Sequence, residues 1–189
     1  YQLTLADAFG SVHIDGARLF NAVVALETPV AELVKEADTV TFCLSKGLGC
    51  PVGAMLVGDH ETIEKARKVR KVLGGATRQA GIIAAPGIVA LDTMIDRLAD
   101  DHANARKLAQ GLTTIPGFEI DLENVHTNLV FADINGEMPA GASQRLAERG
   151  ILVGDRGSMW RFVTHNDVSS DDIDHTLDVI QTTVNELMA

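Results

Sequence analysis

The first half of the chain alternates short apolar runs, rich in β-branched residues, with longer stretches of helical composition. Two of the apolar runs, residues 11–14 and 39–44, are predicted strands. The residues between them are predicted to form helices, and a strand, a helical crossover and a second strand make up a βαβ unit. This pattern predicts an α/β fold with a region of parallel sheet and leaves open which strands pair.

The rest of the chain is predicted to continue with a third strand and further helices, and then to change to an α+β pattern. The predicted strands lie at residues 11–14, 39–44, 54–57, 118–122, 128–134, 151–153 and 159–164. The predicted helices lie at residues 17–26, 30–37, 61–73, 78–112 with an interruption at Pro86, 142–149, and from Ser169 or Ser170 onward. The change of pattern inside the long helix predicts two domains, residues 1–95 and 96–189.

The composition argues against several kinds of partner. With 26 acidic and 16 basic residues the formal net charge is −10, so no nucleic-acid or anionic-membrane partner is expected. No apolar run approaches the ~20 residues of a membrane span, and residues 1–10 lack the features of a signal peptide, which predicts a cytoplasmic protein. Cys43 and Cys50 have no clustered His or Cys nearby, so neither a disulfide nor a metal site is predicted.

Two ionisable residues follow predicted strands. Asp15 follows the first and Lys46 the second, with a crossover of about 30 residues between them, so both are expected at the sheet edge where α/β proteins bind ligands. One interpretation is an ion pair that closes a loop. The other is a cofactor site, with the lysine as nucleophile and the aspartate as partner of a pyridinium nitrogen. Gly47, Gly49 and Gly53 favour the cofactor site, because they leave room around the amine for a flat ligand.

Four segments resemble, in order and spacing, the low-specificity L-threonine aldolases. They are HIDGARLFNA at 13–22, SKGLGCPVG at 45–53, LGGATRQAG at 73–81 and RFVTHNDV at 161–168. The match runs from about Val12 to the end of the chain. Because that family carries a long segment ahead of the first motif, the resemblance is to its C-terminal portion, and the chain is expected to be a fragment or one of two pieces.

The resemblance implies an enzyme of fold type I that depends on pyridoxal 5′-phosphate (PLP). Residues 1–95 are then the C-terminal part of the large PLP-binding domain, a mostly parallel sheet with helices on both faces, and residues 96–189 are a small α/β domain. The implied reaction cleaves a β-hydroxy-α-amino acid, threonine or allo-threonine, to glycine and an aldehyde.

The resemblance also implies a role for each matched polar residue. Lys46 is the catalytic lysine that holds the cofactor covalently, and Asp15 pairs with the pyridine nitrogen. Arg18 reaches the phenolic oxygen of the cofactor or the substrate carboxylate. Arg161 binds the substrate carboxylate, for which its planar guanidinium is suited. His13, beside Asp15, is a weaker candidate for a stacking or acid–base group.

The family further implies a homo-oligomer, a dimer of dimers, in which Lys71 and Arg78 lie near the site of a neighbouring subunit. A separate N-terminal fragment is a further possible partner. Two alternatives stay open: a non-catalytic remnant that keeps the fold for assembly, and another fold-type-I PLP enzyme such as a β-eliminating lyase. The four intact residues Lys46, Asp15, Arg18 and Arg161 favour the aldolase over the remnant.

Overall fold

The computed structural model describes residues 10–189 of the chain. The chain divides into two compact units, the first reaching to Leu98 and the second running from Ala99 to Ala189. The assignment of these units to a large cofactor-binding domain and a small domain stays a prediction.

The first unit is built on a three-stranded mixed sheet. Its strands are β1 (His13–Asp15), β2 (Thr39–Cys43) and β3 (Ala54–Gly58), in the order β1-β2-β3. β1 runs parallel to β2, with Asp15 opposite Thr41, whereas β3 runs antiparallel to β2. The parallel pair is the predicted βαβ unit, and the direction of β3, which the sequence left open, makes the sheet mixed.

The helices of the first unit are α1 (Leu19–Leu26), α2 (Val30–Leu33), α3 (His60–Val72) and α4 (Gly81–Thr93). α2 is shorter than the predicted helix over residues 30–37. The chain turns after it so that the amide of Asp38 donates a hydrogen bond to the carbonyl oxygen of Val12, at 2.9 Å. This bond brings β2 beside β1.

The buried core of the first unit joins β2, the loop that follows it and α4. Its buried members are Phe42, Leu44, Leu48, Cys50 and Ala90. Phe20 of α1 meets Phe42 edge to face, with ring centroids 5.2 Å apart and planes at 88°. The loop after β2 is therefore packed into the core at three of its residues, which fixes the backbone on either side of Lys46.

The prediction of one helix over residues 78–112, interrupted at Pro86, is wrong about where the helix breaks. Pro86 lies inside α4, and the break falls at residues 94–97, before α5 (Leu98–Leu112). A proline removes the hydrogen bond to the carbonyl four residues earlier, which is that of Ile82 here. Ile82 is 83% exposed, so water can replace the missing donor and the helix continues.

The second unit is built on a four-stranded antiparallel sheet in the order β4-β5-β7-β6. Its elements are β4 (Phe118–Glu119), a 3-10 helix (Leu122–Asn124), β5 (Leu129–Ile134), α6 (Ala142–Glu148), β6 (Gly154–Asp155), β7 (Met159–Val163) and α7 (Ser170–Met188), preceded by α5. Val130, Ala132, Trp160 and Phe162 lie on one face of the sheet and are buried with residues of the three helices. The opposite face carries the exposed side chains of Phe131 and Arg161.

The predicted strands at residues 118–122 and 151–153 are wrong in extent. In the first, the Asp121 carboxylate accepts a hydrogen bond from the amide of Glu123 at 3.0 Å and starts the 3-10 helix, which ends the strand. In the second, the amide of Ile151 donates to a carbonyl in the last turn of α6 at 2.9 Å, so β6 begins only after it.

A capping box begins α7. The amide of Asp172 donates to the hydroxyl of Ser169 at 3.1 Å, and the amide of Ser169 donates to the carboxylate of Asp172 at 2.8 Å. The Ser169 hydroxyl also donates to the Asp172 carboxylate at 2.6 Å, and this bond, together with the one from the Ser169 amide, holds the pKa of the Asp172 carboxyl below its usual value. The box therefore contributes to stability while Asp172 is ionised.

We expect Ser169→Ala to lower the free energy of unfolding of the second unit by about 1 kcal/mol at neutral pH, because the amide of Asp172 loses its acceptor. The lowered pKa of Asp172 means that its contribution is complete above the pKa of an unfolded aspartate, ~3.9, and is lost as the pH falls through the folded value. Urea unfolding at pH 7 and pH 3 measures both effects. Ser158→Ala, at an exposed serine, is the control, and an equal loss in the two variants would contradict the expectation.

Candidate functional site

Asp15 and Lys46 lie at the same edge of the first sheet. Asp15 is the last residue of β1, and Lys46 lies in the turn that follows β2. Because β1 and β2 are parallel neighbours, their carboxyl ends meet there. The amide of Gly16 donates to the carbonyl oxygen of Thr41 at 2.8 Å, which keeps the two chains together past the end of β1. Both ionisable side chains are exposed and so open to a ligand.

Gly16 allows α1 to start directly beside β2. A Cβ at this position would lie 2.9 Å from the carbonyl oxygen of Thr41, too close for any side chain. The tight turn places the half-buried Arg18 at the N-cap of α1, three residues after Asp15. Arg18 is therefore held next to the strand end that carries Asp15, while its contact with a cofactor or substrate stays a prediction.

The glycines around Lys46 are explained by the packing and the backbone conformation of the loop that carries Lys46. A Cβ at Gly47 would lie 2.9 Å from Cδ2 of Leu98 and 3.0 Å from Oδ1 of the buried Asn21. Gly49 and Gly53 have φ angles of +72° and +121°, which residues with a side chain rarely adopt. Packing and turn geometry thus require glycine at these positions, and the idea that they clear space for a flat ligand is not needed to explain them.

Lys71 and Arg78 are separated in sequence from the loop that carries Lys46. Lys71 is in the last turn of α3, and Arg78 is in the turn that leads to α4. Both side chains are exposed, as a contribution to a neighbouring subunit requires. That contribution stays a prediction.

Arg161 lies in the middle of β7, in the second unit. Its neighbours in register are Phe131 on β5 and Gly154 on β6, so the three share the exposed face of the sheet. The sequence pattern did not single out Phe131 or Gly154, because only the register of three separate strands places them beside Arg161.

His13 makes a cross-strand contact. It lies opposite Thr39 in register, and its Nδ1 is 2.8 Å from the Thr39 hydroxyl oxygen. This contact ties β1 to β2 at the end of the strands that is remote from Asp15. It gives His13 a structural role, and a stacking or acid–base role of His13 stays a prediction.

An apolar groove between β3 and α3 was not predicted from the sequence. It has a volume of about 390 Å³ and is lined by Ala54, Met55, Leu56, Ile63, Ala66, Arg67 and Arg70. Among the described strands β3 pairs only with β2, so its outer edge is open, and Leu56 and Val57 are exposed there. We call the groove and the open edge of β3 the apolar face; Ile82, Ile88 and Val89 of α4 are exposed as well. An open apolar edge strand and a helix that is apolar on all sides are usually covered in a folded protein.

Residues 10–189 contain neither a clustered metal site nor a helix that could span a membrane. Within this range no group of three or more His, Cys, Asp or Glu side chains is placed to hold a metal ion. No helix in the described part of the chain combines the length and apolarity needed to cross a bilayer.

The fold, a mixed α/β unit followed by an antiparallel α/β unit, is that of part of a PLP-dependent enzyme of fold type I. A solved structure with this fold is that of a Listeria monocytogenes protein proposed to be an L-allo-threonine aldolase. It superposes with a TM-score of 0.78 at 19% identity, over 96% of this chain and 54% of that chain.

Relatives that match in sequence identify the family within this class of fold. The family model described as beta-eliminating lyase matches residues 5–135, and the chain belongs to that family. Low-specificity L-threonine aldolase 1 of Arabidopsis thaliana is 44% identical over 174 residues, which are 90% of this chain and 49% of the relative. The low specificity L-threonine aldolase of Escherichia coli strain K12 is 40% identical over 163 residues, which are 86% and 48%. The chain thus spans about half the length of these curated relatives.

Proposed function

We propose that the protein, at the full length of its relatives, is a PLP-dependent carbon–carbon lyase, a threonine aldolase. It cleaves threonine or allo-threonine, or a similar β-hydroxy-α-amino acid, to glycine and an aldehyde. The observation that carries the proposal is the position of Lys46 and Asp15 at one edge of a parallel strand pair. The relatives named as low-specificity L-threonine aldolases support the choice of reaction.

The chemistry of these residues fits PLP. A primary amine that is open to a ligand can bond covalently to the aldehyde of the cofactor, and a carboxylate on the adjacent strand can keep its ring nitrogen protonated. Both residues are exposed; Asp15 ends β1 and Lys46 follows β2, and neighbouring strands lie about 5 Å apart in a sheet. When bound, PLP supplies an electron sink for the bond that breaks at the α-carbon.

Two arginines are proposed to hold the substrate. Arg161 presents a planar guanidinium, which binds a carboxylate through two parallel hydrogen bonds. Arg18 binds either the same carboxylate or the phenolic oxygen of the cofactor. A carboxylate held in this way fixes the orientation of the α-carbon, and the orientation selects the bond that is cleaved.

The apolar face supports a proposal about partners. Because the chain spans about half the length of its relatives, a segment of similar length is the proposed cover of this face, either in the same polypeptide or as a separate chain. We further propose a homo-oligomer, a dimer of dimers, in which Lys71 and Arg78 approach a neighbouring site. A cytoplasmic location is proposed from the sequence.

A second candidate reaction is β-elimination, which the name of the matching family favours. The two reactions of threonine give different products. Aldol cleavage gives glycine and acetaldehyde. Elimination removes the β-hydroxyl as water and, after hydrolysis, gives 2-oxobutanoate and ammonia. Product analysis therefore decides between them.

The test uses two proteins, the 189-residue chain and a completed protein. In the completed protein, the part of the Arabidopsis relative that precedes the 174-residue match is joined ahead of this chain. Absorbance spectra with added PLP are recorded before and after borohydride, which converts a lysine–cofactor linkage to a stable amine, and the labelled peptide is mapped. Threonine is then added to the unreduced protein and the products are identified.

We expect a label on Lys46 and the release of glycine and acetaldehyde by the completed protein, with much weaker cofactor binding by the 189-residue chain. Release of 2-oxobutanoate and ammonia instead would mean that the protein catalyses β-elimination and not aldol cleavage. A folded completed protein that takes no label would reject both reactions and favour a non-catalytic assembly chain.

A further inference from the structure

Gly154 lies directly opposite Arg161 in the register of β6 and β7. A Cβ at Gly154 would lie 3.2 Å from the carbonyl oxygen, 3.5 Å from Cβ and 3.8 Å from Nε of Arg161. The Nε distance shows that the Arg161 side chain extends over β6 and not away from the sheet. Gly154 thus forms the surface on which this side chain lies.

The other neighbour of Arg161 limits the directions in which the Arg161 side chain can extend. Phe131 lies opposite it on β5, on the same face, and is 46% exposed. Side chains directly opposite each other on one face of an antiparallel pair are in contact range. The phenylalanine ring therefore takes up space on the β5 side of Arg161, and the side without a side chain is that of Gly154.

The β6 surface is held in place, although β6 has two residues and lies at the edge of the described sheet. The Asp155 carboxylate accepts a hydrogen bond from the Ser143 hydroxyl of α6 at 2.5 Å and one from the amide of Gly157 at 2.8 Å. The amide of Arg156 donates to the carbonyl of Met159 at 3.0 Å and closes the turn to β7. Gly154 is therefore fixed relative to the strand that carries Arg161.

We infer that Gly154 is a positioning residue that directs the Arg161 guanidinium towards the carboxylate of the amino-acid substrate. The inference rests on the proposed function, in which Arg161 binds that carboxylate. The φ angle of Gly154 lies outside the left-handed region, so other residues can adopt its backbone conformation. A side chain at this position acts by contact with Arg161, and a branched one pushes the guanidinium off β6.

The kinetic test is Gly154→Val in the completed protein. We expect kcat/KM for threonine to fall at least about tenfold, through a higher KM because the misdirected guanidinium binds the carboxylate less well, and through a lower kcat because the α-carbon is then oriented less precisely. Gly136→Val is the matched control, since it lies in the same unit, has no atom within 4 Å of the added Cβ and has no left-handed φ. It is expected to leave both constants unchanged.

A double variant separates positioning from a general loss of structure. In the Arg161→Gln background, Gly154→Val is expected to add nothing to the KM, because the group it displaces is gone. A further tenfold rise in that background would overturn the inference, since Gly154 would then act through something other than Arg161.

A spectroscopic readout does not depend on activity. In the ¹H–¹⁵N spectrum of the 189-residue chain, the Nε–H signal of Arg161 is identified by its loss in Arg161→Gln. Gly154→Val is expected to shift this signal, and Gly136→Val is expected to leave it in place. An unshifted signal in Gly154→Val overturns the inference even if the enzyme is an aldolase. A shifted signal in a protein that does not cleave threonine leaves the geometry standing and rejects the proposed function.

Discussion

Lys46→Ala is expected to abolish borohydride-trapped labelling of the completed protein and to lower its rate of glycine release from threonine by at least about a thousandfold. The reason is that the primary amine at the end of β2 is the nucleophile that the proposed chemistry requires, and alanine offers none. The loop should still fold, because the residues packed into the core on either side, Leu44 and Leu48, are unchanged. Labelling and rate are measured on the same preparation.

The matched control for this variant is Lys35→Ala. Lys35 is also exposed, and its amine is 3.3 Å from the Glu32 carboxylate in a surface ion pair, which contributes little to stability. The control should retain its label on Lys46 and a rate within about twofold of the parent. If Lys46→Ala kept its label, a different lysine would hold the cofactor, and the assignment drawn from the strand order would be wrong.

The placement of Asp15 and Lys46 at one edge of the sheet could be predicted from the sequence because it follows from local patterns. β-branched runs predicted β1 and β2, and the helical crossover between them is long enough to allow the parallel arrangement that puts both strand ends at one edge. The direction of β3 was not accessible, because either direction is compatible with its apolar composition. Its direction is fixed only by its hydrogen-bonded pairing with β2.

Side-chain neighbours that depend on strand register also could not be predicted from the sequence. Phe131, Gly154 and Arg161 lie on strands separated by turns and a helix, and a shift of one residue in any pairing would move a side chain to the opposite face. The glycines after β2 show a related limit. The sequence suggested that Gly47 makes room for a ligand, whereas in the structure a Cβ at Gly47 would collide with Leu98 and Asn21, a packing reason for glycine that the sequence did not reveal.

Asp15→Asn is expected to lower kcat for threonine cleavage at least about a hundredfold while changing the KM much less. A carboxylate at this position keeps a proton on the ring nitrogen of the cofactor and so strengthens its capacity to accept electrons in the transition state, whereas a neutral amide does not. The side chains have nearly the same shape, and Asp15 is exposed, so the fold should be preserved. Steady-state rates and the PLP affinity of the completed protein measure the effect.

Asp38→Asn provides the control, because Asp38 borders the same two strands at their opposite end. Its carboxylate accepts a hydrogen bond from the amide of Val12 at 2.6 Å, just ahead of β1, and the amide oxygen of asparagine can accept the same bond. We expect kcat to stay within about twofold of the parent. Equal losses in the two variants would mean that Asp15 acts by holding the strands together. A loss confined to Asp15→Asn would mean that the negative charge at the carboxyl end of β1 takes part in the chemistry.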